Sequence, residues 1–356
     1  MQRRKTRQVR VGKLTIGSEY PVIVQSMTNT DTKDVKATMK QIESLEKGDC
    51  EIVRLAVYDE GCIEPLKEIR KRANIPLVAD IHYDYKLAIE SIKAGVDKVR
   101  INPGNIGDDW KVKEIIKVAR DKGVAIRVGV NGGSVKEKYL DKKGHVTYRN
   151  LLAEAFDNVK LFESERFQNL VFSIKSSDVL QTIEANREFA RQTDYPLHLG
   201  VTEAGIGTEG IVYSSVGIGT LLSEGIGDTI RVSLTGDPLQ ELDICWMILD
   251  ALHIRKRKGI RLISCPTCAR TNVNLGEVIA ELKEKLPVID MNLRVAVMGC
   301  VVNGIGEGKE ADIGVAYGKS KAVIFKKGKI LRTVNNDEVV NVMVNMILNT
   351  FDRPQA

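Results

Sequence analysis

Aromatic side chains are scarce, with Phe, Trp and Tyr together making up 5 % of the 356 residues. A nucleic-acid face interleaves stacking rings with a basic stripe; none is found here, so nucleic acid is excluded as a partner. No apolar run approaches the roughly 18 residues of a membrane span. The opening segment, Met1–Arg7, carries the charge of a leader, but no apolar stretch follows it, so a reducing cytoplasm is expected. Charge of either sign is close to balance: 53 basic against 47 acidic side chains leave +6, which suits an anionic substrate or a solvated surface. Also missing is a fourth thiol. Cys265, Cys268 and Cys300 gather toward the C-terminus, while Cys50, Cys62 and Cys245 lie far upstream in segments that read as strand, turn and helix.

A closed tetrahedral metal site needs four protein ligands, so three thiols imply a different fourth donor or an open coordination position. The spacing Cys265-Pro266-Thr267-Cys268, then Cys300, then Glu307, suits an iron-sulfur cluster with one oxygen ligand. A zinc site, unligated thiols and a Cys265–Cys268 disulfide remain open on the same residues. Asn272, Glu277, Val278, Ile279 and Leu282 predict a helix after Cys268, which would set the two sulfurs near its positive end, where thiolates are favoured.

Short β-branched runs recur at 21–27, 51–57, 76–81, 98–103, 125–131, 170–176, 196–203 and 229–235. Amphipathic stretches separate them: Asp34–Lys47, Pro65–Ala73, Tyr85–Ala94, Asp109–Lys122, Leu151–Phe167, Val179–Gln192, Ser214–Gly225 and a closing Pro238–Ile254. Eight such units predict an α/β fold, a closed (β/α)8 TIM barrel. Gln8–Gly17 reads as a hairpin that plugs the barrel bottom. After Arg255–Gly259 the pattern becomes α+β, with strands at Arg261–Ser264, Leu293–Met298, Asp312–Tyr317, Lys321–Phe325 and Ile330–Val334 and a last helix near Asp337–Leu348. The domains expected are a substrate-binding barrel over 1–255 and a smaller cluster domain over 259–356.

Most barrel strands end in a charged or amide residue among apolar neighbours: Arg54, Asp80 with His82, Arg100 and Asn102, Arg127 and Asn131, Lys175, Thr202 and Glu203, Arg231 and Ser233. Arg100/Asn102, Arg127/Asn131 and Arg231/Ser233 are spaced by even steps, so each pair can face the barrel mouth. One buried arginine usually marks an ion pair, and His82 reads as a structural partner of these arginines. Five cations facing Asp80 and Glu203 are costly unless a polyanion neutralises them, and guanidinium forks fit phosphate oxygens. The expected substrate carries at least two phosphate charges.

Val24–Thr28, Asn102–Gly107, Lys175–Asp178, Thr202–Gly205, Ser214–Gly219, Cys265–Cys268 and Gly299–Asn303 through Gly306-Glu307 closely resemble the motifs of the 4-hydroxy-3-methylbut-2-enyl diphosphate synthase family, iron-sulfur enzymes of the methylerythritol phosphate route to isoprenoids. The resemblance covers nearly the whole chain and, with no long insertion, matches the compact two-domain form. It implies a barrel related to dihydropteroate synthase and a second domain similar to sulfite reductase modules. It further implies an oxidoreductase with a [4Fe-4S] cluster on Cys265, Cys268, Cys300 and Glu307, although the family commonly has Ala where this chain has Gly308. The implied substrate is 2-C-methyl-D-erythritol 2,4-cyclodiphosphate, its phosphates suited to Arg54, Arg100, Arg127, Lys175 and Arg231, with Asp80, Asn102, Asn131, Thr202 and Ser233 lining the same site. Glu203 and Glu307 are the implied catalytic residues. The implied reaction is a two-electron reductive opening with loss of water, fed by ferredoxin or flavodoxin.

Two other classes fit parts of the pattern: a zinc- or pterin-dependent barrel transferase, and an electron carrier with a barrel appendage, which leaves the rim cations without a purpose. Chain geometry adds an expectation about assembly. The last barrel helix ends at the bottom face, and the five-residue linker, about 3.5 Å per residue, reaches roughly 17 Å. A homodimer is therefore expected in which each small domain caps the partner's barrel, head to tail.

Overall fold

The computed structural model describes residues 2–140, 145–286 and 291–351. The expected domain limits at residues 1 and 356 lie outside them. The chain divides into two compact units, Met1–Arg255 and Lys256–Ala356.

In the first unit eight parallel strands follow one another around a barrel: Ile23–Met27, Ile52–Ala56, Leu77–Asp80, Lys98–Ile101, Ala125–Asn131, Leu170–Lys175, His198–Leu199 and Thr229–Ile230. Their outward residues, such as Val53, Leu77, Val99 and Ile126, pack beneath the surrounding helices with Leu45, Ile69, Ile116 and Phe189 in one continuous core. Aspartate side chains cap four of these helices where the chain leaves a strand top, Asp34, Asp84, Asp178 and Asp237 each accepting a first-turn N–H. The hairpin Val9–Val11/Leu14–Ile16 turns through Gly12 at φ 57°. Its Val9, Val11 and Ile16 meet Ile23, Ile52, Val78, Ala125 and Val171, which lie at or next to the starts of their strands, and close the barrel bottom.

The last two strands are much shorter than the patterns 196–203 and 229–235 predict, two residues each. Beyond Leu199 the backbone bends through Glu203 at φ 55° and Gly205 at φ 111°, and beyond Ile230 it reaches Gly236 at φ 144°; left-handed residues end a ladder. Between Leu170–Lys175 and His198–Leu199 the barrel closes through one isolated bridge, Phe172 to Leu197.

In the second unit a five-stranded sheet runs Gly259–Ser264, Asn292–Met298, Ile313–Tyr317, Lys321–Lys326, Lys329–Asn335. The first three strands are parallel, and the last two form a hairpin around Lys327-Gly328. Helices Leu275–Lys285 and Val339–Phe351 supply Leu282, Met343 and Ile347 to its core. Helix Val301–Glu307 approaches closely at Gly304, where a Cβ would lie 2.8 Å from Met298 Cβ and 2.9 Å from Ala316 Cβ.

Ile16 is wholly buried in the bottom cluster. Ile16→Ala is expected to lower unfolding free energy by about 2–5 kcal/mol, read as a shifted urea midpoint with unchanged slope, while leaving the rim side chains in place.

Candidate active site

Strand periodicity puts alternate residues inside the barrel, and the interior of this one is basic. Arg54, Arg100, Arg127 and Lys175 are mostly withdrawn from solvent. Arg100 Nη1 lies 3.2 Å from Asp80 Oδ1, and its Nη2 donates to Asn131 Oδ1 at 2.9 Å. Arg54 Nε lies 3.8 Å from Asp80 Oδ2 and donates to Met27 Sδ at 3.0 Å. His82 Nε2 is 3.4 Å from Asp80 Oδ2 and 3.4 Å from Arg100 Nη1. Burial raises the Asp80 carboxyl, but Arg54, the His82 hydrogen bond, Arg100 and Arg127 together outweigh it and hold it well below the usual carboxylate range. Arg54 is pulled down to about 10 by burial, against the attraction of Asp80.

The counter-charge to Arg231 is Glu241, not Glu203. Glu241, in the first turn of helix Pro238–Ala251, is 3 % exposed and accepts from Arg231 at 3.0 and 3.2 Å, from Ser26 Oγ at 3.2 Å and from the Leu234 N–H at 3.0 Å. Glu203 stands exposed, with no rim cation paired to it among the described residues. Its left-handed backbone is a strained placement for a residue other than Gly. Thr202 and Ser233 are half-buried on the loops that follow the two short strands. Asn102 departs from its expected role: its strand ends at Ile101, and its side chain accepts the Gly104 N–H at 2.9 Å and donates to Ser134 Oγ, capping the turn Pro103–Ile106.

Arg127 is 1 % exposed, and its Nε and Nη1 have no acceptor among the described residues; Lys175, 7 % exposed, has no counter-ion there. Burial first, then neighbouring cations, lowers the affinity of both for protons. Two glycines make the space. A Cβ on Gly129 would meet Arg100 Nε at 2.9 Å, and one on Gly200 would meet Lys175 Nζ at 2.5 Å. Lys98 and His198, both fully buried, were not singled out by sequence. Lys98 carries the even-step signal, two residues before Arg100.

Cys265, Cys268, Cys300 and Glu307 line one cleft of about 470 Å³ with Arg270, Thr271, Met298 and Gly304. Register explains the convergence: Ser264 pairs with Val297 on parallel strands, so Cys265 and Cys300 emerge at the same sheet edge. The helix expected after Cys268 forms, but it starts at Leu275 and so does not set the Cys265 and Cys268 sulfurs at its positive end. Asn274 caps it, and Cys300 is the thiol at a helix N-terminus, before Val301–Glu307. The Cys268 thiol is nevertheless lowered, by the Arg270 N–H and guanidinium and by Thr271. Cys265 Sγ accepts the Gly299 N–H at 3.2 Å, and Asn272 binds the Gly299 and Tyr317 carbonyls, fastening the thiol loop to the strand ends. Upstream the contrast is plain, for burial pushes the Cys50 and Cys245 thiols up to about 12. All six cysteines are free, so no Cys265–Cys268 disulfide forms. Gly308 follows Glu307 where a Cβ would meet Phe325 Cζ at 2.7 Å. Among the described residues no three His, Cys, Asp or Glu side chains are grouped as ligands of one metal ion. No described helix is long and apolar enough to cross a membrane.

These features define a TIM-barrel enzyme with a basic mouth and an appended unit that gathers thiols. Residues 6–246 match the family description "GcpE TIM-barrel domain", and residues 261–349 match "GcpE protein C-terminal domain". The chain belongs to the GcpE family. It is 50 % identical to the 4-hydroxy-3-methylbut-2-en-1-yl diphosphate synthase (flavodoxin) of Thermodesulfovibrio yellowstonii, over 98 % of this chain and 99 % of that one. Identity to the Clostridium tetani protein of the same description is also 50 %, over 98 % and 100 %. Among solved structures, 3-dehydroquinate dehydratase from Geobacillus kaustophilus aligns with a TM-score of 0.51 at 15 % identity, over 72 % of this chain and all of that one. Yersinia pestis dihydropteroate synthase with a sulfonamide drug complex gives 0.50 at 9 %, over 70 % and 100 %; both likenesses speak to the fold alone.

Stability should report on Asp80. A carboxyl depressed in the folded state contributes stability that is fully present above its unfolded pKa, about 4, and is lost as pH falls toward the folded value. Unfolding free energy of the wild type should therefore drop between about pH 5 and 2 more steeply than that of Asp80→Asn. Parallel slopes in urea titrations would contradict the assignment.

Proposed function

We propose that this enzyme opens 2-C-methyl-D-erythritol 2,4-cyclodiphosphate reductively and releases water, yielding (E)-4-hydroxy-3-methylbut-2-enyl diphosphate. The observation that carries this reading is the uncompensated buried charge of the barrel mouth: five cations against Asp80 and Glu241 leave an excess of three. Each buried, unpaired ion costs several kcal/mol, on the order of what a charge-matched ligand restores. The dianionic cyclic diphosphate, two electrons and one proton balance against one water and the linear diphosphate as its trianion. Charge on the ligand thus rises to match the excess in the site.

Arg127 and Lys175, without partners of their own, would take phosphate oxygens directly. Arg54 and Arg100 share Asp80, and Arg231 is fixed by Glu241, so these three present oriented donors to the second phosphate and to the diphosphate formed. Asn131 orients Arg100. Asn102 would shape the wall by capping its turn, while Thr202 and Ser233 offer hydroxyls to the ring oxygens. Glu203 would deliver a proton from its carboxyl to the departing hydroxyl oxygen.

The second unit would act as the electron-transfer domain. Its three thiols and the Glu307 carboxylate would hold a [4Fe-4S] cluster, which supplies single-electron transfer and a Lewis-acidic iron when bound. The donor set fits: three thiols and one carboxylate line a single cleft, a soft sulfur set with one oxygen donor that suits an iron-sulfur cluster. The relatives' name supports flavodoxin as reductant, with ferredoxin the alternative. A reducing cytoplasm would keep all six thiols free.

Anaerobically purified protein is expected to be brown. Glu307→Ala should keep visible cluster absorption and lose most turnover, whereas Cys300→Ser should lose the absorption. A colourless wild type would favour zinc, and the reverse pattern in the variants would sink the ligand assignment.

A head-to-tail homodimer completes the proposal. Arg255 donates to the Val22 carbonyl at 2.9 Å and to Glu51 at 2.6 Å, just before strands Ile23–Met27 and Ile52–Ala56 begin, which supports an exit from the barrel at its bottom. Val212, Tyr213 and Val216 on helix Gly207–Ser223 lie 43–49 % exposed, an apolar strip open to a partner. Mixing Lys175→Ala with Cys265→Ser chains should restore activity to at most about a quarter of wild type after random exchange. No recovery after demonstrated exchange would place both halves of the site in one chain.

A further inference from the structure

Below the rim the barrel contains two basic side chains that the reaction does not use. Lys98 sits one inward step beneath Arg100 on strand Lys98–Ile101, wholly buried, its Nζ without a hydrogen-bond partner among the described residues. It faces Arg127, Arg54 and Asp97. Asp97 is already engaged, accepting the Leu77 N–H at 2.8 Å and lying 3.7 Å from Arg70. His198, equally buried, contacts Thr229 Oγ1 through Nδ1 at 2.7 Å, and its Nε2 has no partner among the described residues. The titratable groups it faces are Arg127, Lys175, Lys98 and Arg54, all basic.

We infer that Lys98 and His198 form a lower tier of the basic column that binds protons when the rim takes an oxyanion, so that anion binding and proton uptake are one event. Without a ligand, burial and then the surrounding cations lower the affinity of both groups for a proton. An oxyanion seated on Arg127 and Lys175 reverses the local sign. The repulsion acting on Lys98 Nζ and His198 Nε2 is offset, and protons are drawn from the buffer onto them. The consequence is a site whose positive charge grows with the charge it must hold, and whose affinity for anions rises as pH falls. The inference rests on the rim being the oxyanion site.

Titration calorimetry of the full-length protein with sodium sulfate tests it, at pH 7 in two buffers of different ionisation enthalpy. Sulfate has no proton to exchange near neutrality, so any uptake belongs to the protein. Wild type should take up protons measurably as sulfate binds. The double variant Lys98→Met/His198→Gln should take up less than half as much, with binding still measurable. Each single variant is titrated too, so the result does not depend on the double variant folding. Lys98→Met should also melt at a higher temperature than the unliganded wild type, because folding no longer has to bury an amine without a partner. Sulfate binding without uptake, or equal uptake in wild type and every variant, would overturn the lower tier and leave the rim intact. Absence of sulfate binding would overturn the rim reading and this inference with it.

Discussion

Charge excess inside a closed barrel is the constraint on which the first unit is organised. Hydrocarbon packing between strands and helices makes a stable shell, but the shell encloses arginines and lysines that could not stay there alone. Asp80 and Glu241 compensate part of the charge and, by doing so, fix the direction of three guanidinium groups. What remains is Arg127 and Lys175, buried and without a counter-ion among the described residues. Gly129 and Gly200 belong to the same arrangement, since any side chain there would occupy the volume of Arg100 or Lys175.

In the second unit the governing device is register instead of charge. Two parallel strands end level with each other, and the turns that follow carry Cys265 and Cys300. Asn272 and the Gly299 N–H hold the loops against the sheet edge. Donors far apart in sequence thus share one cleft without help from a long helix. The activation of Cys268 is local, from Arg270 and Thr271.

Much of this was legible beforehand, for identifiable reasons. Strand and helix periods located all eight barrel units, and the even-step rule placed Arg100, Arg127 and Asn131 inside. Where it failed, tertiary geometry had taken over. Asn102 obeys the even step in sequence, but its strand has already ended, so the side chain caps a turn. Glu241 escaped notice because helix position, not strand parity, brings it to Arg231. Lys98 did carry the parity signal, yet a lysine at a strand start reads as solvent-facing until the hairpin is known to seal that end. The thiols were legible from spacing, while the helix expected at Cys268 begins only at Leu275, where Asn274 offers a better cap.

The single bridge between Phe172 and Leu197 has a consequence for motion. Six of the eight strands run four to seven residues, but the wall that closes the barrel is held there by few backbone bonds, among them Phe172 N–H to the Pro196 carbonyl and Thr202 N–H to the Ser176 carbonyl. In native-state hydrogen exchange, thinly bonded segments are the ones that open without global unfolding. Lys175 stands on one side of this seam and Glu203 on the other. A local opening there widens the gap between Lys175 and Glu203 while the bottom plug and the other strands stay bonded, giving the barrel a hinge on one side of its mouth.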